Sequence, residues 1–270
     1  MALTDKLTAI GDAIRRNTGD ETLIPLADIP SEVDRVYLLG NEAGFSNGYQ
    51  NGVIDGKQAE YDAFWDSYQQ KGNLKDYQFG FCGRGWNADT FKPKYDIAPT
   101  QYANSCFKLS GVRKSLPQIC TEQGIVVDFS KSKAVSEAFS LTWFTEIGVV
   151  DTRSSTEATL DRVFYSCSYC TKIEKFILKE DGSQALSGCF TNCSALQELT
   201  IEGTIGKNGF NVSPCSRLSK ESITSVINAL STTTSNLTVS ISKEAKESAF
   251  TEEEWDTLIA TKTNWNISLV

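Results

Sequence analysis

Apolar residues change rhythm along this chain. In residues 3–17, Leu3, Leu7, Ile10 and Ile14 recur at three- and four-residue steps, the spacing that lines one side of an α-helix. Thr4 is placed to cap its start and Gly19 follows its end. A short LIPLADIP link leads to Pro30, suited to the first turn of a second helix with Val33, Val36 and Tyr37 on its apolar side. Tyr61, Phe64, Trp65 and Tyr68 resume helical spacing, and Gly72 stops it. Unbroken, residues 30–70 would make a rod of ~60 Å, too long to bury in one small domain.

Between those stretches, GNEAGFSNGYQNGVIDG places Gly40, Gly44, Gly48, Gly52 and Gly56 at every fourth position. Five glycines inside a helix cost roughly 4–5 kcal/mol relative to alanine, so a lone helix here would melt. Close backbone approach by a partner helix offsets such a cost, and a four-residue step favours a right-handed crossing. Phe45, Tyr49 and Val53 form a parallel apolar column beside the stripe. This predicts a parallel homo-oligomeric stalk, against the plainer reading of a glycine-rich linker.

From about residue 76 short apolar clusters alternate with Ser, Thr, Gly and Asn. AFSLTWFTEIGVVDT (138–152), VFYSCSYCTKIEKFIL (163–178) and CFTNCSALQELTIEG (189–203) each open on a phenylalanine, at positions 139, 164 and 190. Each closes on spaced apolar residues: Ile147 and Val150; Ile173, Phe176 and Leu178; Leu196, Leu199 and Ile201. A degenerate copy starts near QYANSC (101–106), with IVVDF (125–129) as its strand. The helix LSKESITSVINALS (218–231) then precedes the strand LTVSI (237–241), and the helix FTEEEWDTLIAT (250–261) precedes WNISL (265–269). A unit that cannot bury its apolar edge alone must stack on its neighbours. The expected fold is therefore α/β: an N-terminal helical stalk followed by a leucine-rich-repeat solenoid with one short parallel strand per repeat. The expected domains are a helical attachment module at 1–29, a glycine-striped oligomerisation helix at 30–72, an irregular or degenerate-repeat part at 73–137, and the repeats with their C-terminal helix–strand units at 138–270.

Composition narrows the function. The chain of 270 residues carries 34 Asp and Glu against 26 Lys and Arg, a formal net charge of −8, without a basic run. A broad nucleic-acid or anionic-membrane surface is not expected. No apolar run approaches the ~20 residues that span a bilayer, and the first residues lack the features of a secretory signal, so synthesis and folding in cytoplasm are expected. Histidine is absent, which removes Ser-His-Asp and Cys-His catalysis and every histidine metal site. Carboxylate or lysine chemistry stays open, but nothing fixes the separation of Asp151, Glu198 and Glu202, and Glu252, Glu253 and Glu254 suit a helix N-terminus. No enzyme activity and no cofactor are expected.

Cys167-x2-Cys170 and Cys189-x3-Cys193 approximate a four-thiolate zinc spacing. Yet Cys167 and Cys193 each follow a repeat phenylalanine by three residues. That puts them in successive layers rather than around one point, so packing as reduced, buried thiols is expected and no metal site. The better binding candidates are strand residues alternating with the core apolars: Asp151 and Arg153; Lys175, Ile177 and Lys179; Glu198, Thr200 and Glu202; Thr238 and Ser240; Asn266 and Ser268. Such a ladder could hydrogen-bond glycans or a peptide, or could simply be a solvated face.

The phenylalanine, the turn rich in Cys and Asn, and the L-x-x-L-x-L strand resemble BspA-like leucine-rich repeats of bacterial surface proteins. LTIEGTIGKNGFNVSPCSRLSKESITSVINALS resembles the ends of such proteins in gut bacteria and their phages. MALTDKLTAIGDAIRRNTG and GKQAEYDAFWDSYQQKG are similar to N-terminal pieces of tail or tail-fibre proteins from phages of Gram-positive hosts. The resemblance covers residues 1–72 and 138–270. YSCSYCTKIEKFILKE departs from the family pattern in being richer in aromatic and charged residues. The resemblance implies a virion tail component, made in the host cytoplasm and trimeric if it is a fibre. It would contact tail or baseplate proteins through its N-terminus and a host-surface glycan or protein through its repeats. The alternatives are a BspA-like adhesin at the bacterial cell surface and an intracellular interaction scaffold.

Overall fold

Phe81, Phe107, Phe139, Phe164 and Phe190 stand one above the next, with ring centroids 5.4, 5.2, 5.9 and 5.5 Å apart and interplanar angles between 15° and 26°. Each ring is buried. The computed structural model describes residues 81–83, 86–88, 91–93 and 95–270. The expected helices at 3–17 and from Pro30, the stalk, and the oligomerisation residues Gly40, Gly44, Phe45, Gly48, Tyr49, Gly52, Val53 and Gly56 lie outside the described residues.

The rings are held in line by backbone. The Phe81 N–H donates to the Cys106 carbonyl at 2.7 Å, Phe107 to Ala138 at 2.8 Å, and Phe139 to Val163 at 2.9 Å. Ser105, Glu137, Leu109 and Leu141 donate likewise to the following turn, so the turns satisfy one another's polar groups. The turns of Phe107, Phe139, Phe164 and Phe190 each contain a pair of left-handed residues: Ser105 and Leu109, Glu137 and Leu141, Arg162 and Ser166, then Gly188 and Asn192. Only the last pair uses residue types that adopt this conformation readily; elsewhere it costs about 1–2 kcal/mol per residue. Stacking sustains that strain. Three residues after Phe107, Phe139, Phe164 and Phe190 sits a small side chain, Ser110, Thr142, Cys167 and Cys193 in turn, all buried.

After each turn the chain extends. β1 (Glu146–Asp151), β2 (Lys172–Ile177) and β3 (Glu198–Glu202) form a parallel sheet in the order β1-β2-β3. Ile147 pairs with Ile173, and Ile173 with Leu199; Val150 pairs with Phe176, and Phe176 with Ile201. These apolar side chains are buried and keep the register, because a one-residue slip would expose them all. Between Ile173 and Phe176 the β2–β3 pairing slips. Two residues separate the buried Ile173 and Phe176, so Glu174 and Lys175 both escape the core.

The expected single solenoid with one strand per repeat is corrected here. The described residues form four short helices and two separate three-stranded parallel sheets, of which β1-β2-β3 is the first. The break has a local cause. Beyond β3, where a further strand would pair, the chain forms helix α2 (Lys220–Ala229). Its Ser222 hydroxyl accepts from the Leu199 N–H, and its Ser225 hydroxyl from the Ile201 N–H, each at 2.8 Å. With those edge donors met, the ladder ends. The second sheet starts on the phenylalanine stack instead: Phe210, in β4 (Phe210–Asn211), meets the Phe190 ring edge-on at 5.7 Å. β4 pairs with β5 (Leu237–Ile241) and β5 with β6 (Trp265–Leu269), all parallel.

The helices have plain local reasons. α1 (Leu116–Gln123) is capped by Ser115, has Pro117 in its first turn, and ends at Gly124 with φ 65°. α3 (Lys243–Ala249) begins on Ser242, and α4 (Glu252–Ile259) on Thr251 with a full capping box to Glu254. IVVDF makes only the single bridge of Val127 with Ile97, since Asp96 takes the Val126 N–H at 2.7 Å. At Gly203, φ is +90° and an added Cβ would lie 2.3 Å from the Leu178 carbonyl oxygen, so no side chain fits where the chain leaves β3.

Phe164 touches Phe139, Phe190 and Phe176. Phe164→Ala is expected to cost about 3–5 kcal/mol and Phe164→Leu distinctly less, measured as shifts in the urea unfolding midpoint.

Candidate functional site

The strand residues expected to bind fall into two groups. On the first sheet, Glu198 lies opposite Lys172 and pairs with it at 2.7 Å, while Lys175 pairs with Glu202 at 2.6 Å. These pairs raise the pKa of both lysines, first through the hydrogen bond and then through the charge. Thr200 is exposed beside them. Asp151 departs from expectation: only 6% exposed, it does not face solvent as a free carboxylate. It accepts from the Arg153 backbone N–H at 3.0 Å and from the guanidinium at 2.7 Å. Burial pushes the Asp151 pKa up, and the Arg153 hydrogen bonds and charge together outweigh it, leaving the value below the ordinary one. Lys179 lies beyond β2, its backbone N–H donating to the Gln184 side chain.

On the second sheet Thr238 lies opposite Asn266 and Ser240 opposite Ser268. The break at β3 therefore divides the expected ladder between two sheets. Of the acidic cluster, Glu254 serves the Thr251 capping box and pairs with Lys220 at 2.6 Å, and Glu252 pairs with the buried Lys246.

Six cysteines, Cys106, Cys167, Cys170, Cys189, Cys193 and Cys215, are buried in the core, while Cys82 and Cys120 are half-buried. Cys167 and Cys193 donate through sulfur to the carbonyls of Phe139 and Phe164, each at 3.0 Å, and Cys189 donates to Leu160 at 3.0 Å. Burial pushes the Cys170 and Cys189 thiols up to about 12, away from the reactive thiolate. All eight cysteines are free thiols, and no trio of Cys, Asp or Glu side chains converges as a metal cage among the described residues. Between α1 and β1 a groove of about 430 Å³ opens, with Leu116, Ile125, Val126, Val149 and Glu174 in its lining.

A different set of residues is assembled by the turns. Side chains alternate in and out along the extended backbone that follows each turn. Val112, Phe144 and Cys170 point inward and are buried, so their neighbours Arg113, Trp143 and Tyr169 point outward and are exposed. Three successive layers thus contribute one ledge. Trp143 and Tyr169 meet edge to face at 5.5 Å, and the Arg113 guanidinium lies 3.9 Å from the Tyr169 ring centre and 5.8 Å from that of Trp143. Trp143 remains 39% and Tyr169 37% exposed, high for large aromatics on a packed scaffold. The layers beneath are rigid: Trp143 N–H donates to Ser110 at 3.0 Å, Thr145 N–H to Lys114 at 3.1 Å, and Thr171 N–H to Thr145 at 2.8 Å. Such a ledge offers aromatic faces and a cation, and no general base or nucleophile. The strand-face candidates did not include these residues. Aligning the copies on Phe139 and Phe164 brings Trp143 and Tyr169 to neighbouring positions, and the aromatic excess of YSCSYC was the visible trace.

No helix among the described residues is long and apolar enough to cross a membrane. The chain matches no protein-family model, no curated protein and no solved structure.

The contribution of Asp151 is present above the unfolded carboxyl value, about 3.9, and is lost as pH falls through its lower folded value. Asp151→Asn is expected to cost about 1 kcal/mol at neutral pH and progressively less as the pH falls below the unfolded carboxyl value of about 3.9, measured as urea midpoints along that pH series.

Proposed function

We propose that this chain is a non-enzymatic recognition protein of the virion-tail type, which contacts a host-surface glycan or protein through the ledge of Arg113, Trp143 and Tyr169. The ledge carries this reading. Two rigid aromatic rings and a guanidinium, side by side on hydrogen-bonded layers, lose little side-chain entropy on contact, and such residues dominate binding energy at recognition surfaces. The tail assignment is supported by the resemblance of residues 1–72 to phage tail proteins, and self-association by the glycine spacing at 40–56. In this reading the N-terminal part meets other tail or baseplate proteins, and several copies present several ledges, so weak single contacts add through avidity.

Trp143→Ala and Tyr169→Ala are each expected to lower adsorption to host cells ten- to thirtyfold, as a loss of about 1.4–2 kcal/mol per contact implies. Their melting temperatures should stay close to that of the parent, because both rings are surface groups. Unchanged adsorption in both variants would remove the ledge from the reading. Light scattering on the full chain tests the assembly: Gly44→Leu together with Gly48→Leu should convert an oligomer to monomer, and a monomeric parent would end that part.

A further inference from the structure

We infer that the ligand of the ledge is an acidic saccharide, whose ring stacks on Trp143 and whose carboxylate is held by Arg113; this rests on the recognition reading above. Charge comes first. Arg153 and Arg162 each lie within ion-pair distance of a carboxylate, and Lys114, next to Arg113, is taken by Glu122 at 2.5 Å. Glu146, at the start of β1, accepts from the Ser115 hydroxyl at 2.8 Å. Arg113 is exposed and lies within ion-pair distance of no carboxylate among the described residues. On a chain of net charge −8, an uncompensated guanidinium fixed over an aromatic ring is a local site for an anion. A stacked guanidinium keeps its N–H donors in its own plane, where they match the two oxygens of a carboxylate.

Backbone geometry selects a sugar over a peptide. An extended peptide gains affinity by joining a row of free main-chain groups. Along the ledge the N–H groups of Trp143, Thr145 and Thr171 are already engaged between layers. A pyranose needs no such row. Its C–H face packs against an exposed indole, and its hydroxyls stay in water. Tyr169 has Arg113 over its ring, which leaves Trp143 to carry the stacking and Tyr169 to fix the guanidinium.

Calorimetry on the full chain with 3′-sialyllactose and a galacturonate oligomer, against neutral lactose and an oligoglutamate peptide, tests this. At least one acidic sugar should bind at least tenfold more tightly than lactose and the peptide, and weaken with salt. Arg113→Gln should remove that preference while leaving the melting temperature unchanged, and Arg113→Lys should restore only part of it, lacking the planar fork. Failure of both acidic sugars to bind, or equal binding of lactose and the acidic sugars, overturns the inference. So does tighter binding of the peptide. If host adsorption still falls in Trp143→Ala and Tyr169→Ala, the ledge remains the recognition surface and only its acidic ligand is lost; unchanged adsorption in those variants takes both away.

Discussion

Everything in the described part of this protein hangs on turns that stack on turns. A buried phenylalanine stands over the next, and beside Phe81, Phe107, Phe139 and Phe164 a backbone N–H donates to the carbonyl of the following turn. Either contact alone would be weak. Aromatic stacking adds about 0.5–1.5 kcal/mol beyond burial, and a net hydrogen bond a similar amount. Repetition makes them cooperative, since each turn that docks presents the surface for its neighbour. That gain sustains left-handed residues as ill-suited as Leu109 and Leu141. It also sets the start of every strand in the first sheet, and so the register of Glu146, Lys172 and Glu198.

A stack must end without leaving open polar edges. On one side α2 supplies Ser222 and Ser225 in place of a strand. On the other, Phe210 seats on Phe190 and opens the second sheet. Residues 262–265 cover the C-terminal end of α2. The buried Lys262 ammonium donates to the carbonyls of Asn228 and Leu230 at 3.1 and 2.6 Å, where α2 leaves acceptors unmet, and Trp265 and Asn264 donate to Ser231. A cation at a helix C-terminus is favoured by the helix dipole. Burial lowers the Lys262 pKa, and the carbonyls keep the cost of its desolvation within bounds.

The same alternation that fills the core builds the ledge. Where Phe144 and Cys170 go in, Trp143 and Tyr169 must come out. Rigid aromatics at a solvent edge are poor for solubility and useful for contact, which is why their coincidence with an arginine that has no carboxylate partner among the described residues carries weight. On the charged strand face beside them Lys172 pairs with Glu198 and Lys175 with Glu202. Exposed pairs of that kind contribute little to stability and leave little charge free for a partner.

The chain by itself determined the local elements that depend on nearest neighbours. LTVSI and WNISL are strands because of their alternation, α2 lies within the expected helix, and the cysteines three residues after Phe164 and Phe190 are buried packing groups in successive layers. The signals for α1, its serine cap, early proline and following glycine, are present in the residues, within the stretch 73–137 expected to be irregular or a degenerate repeat. Tertiary structure decided the rest. That β3 is an edge follows from two serine hydroxyls meeting N–H groups more than twenty positions away, and apolar spacing carries no record of hydrogen-bond partners. Asp151 sits on a strand, but only folding brought Arg153 over it and closed it to solvent. Arg113, Trp143 and Tyr169 are scattered in sequence. They meet because the turns stack, and no periodicity within one copy could state that three copies would share a surface.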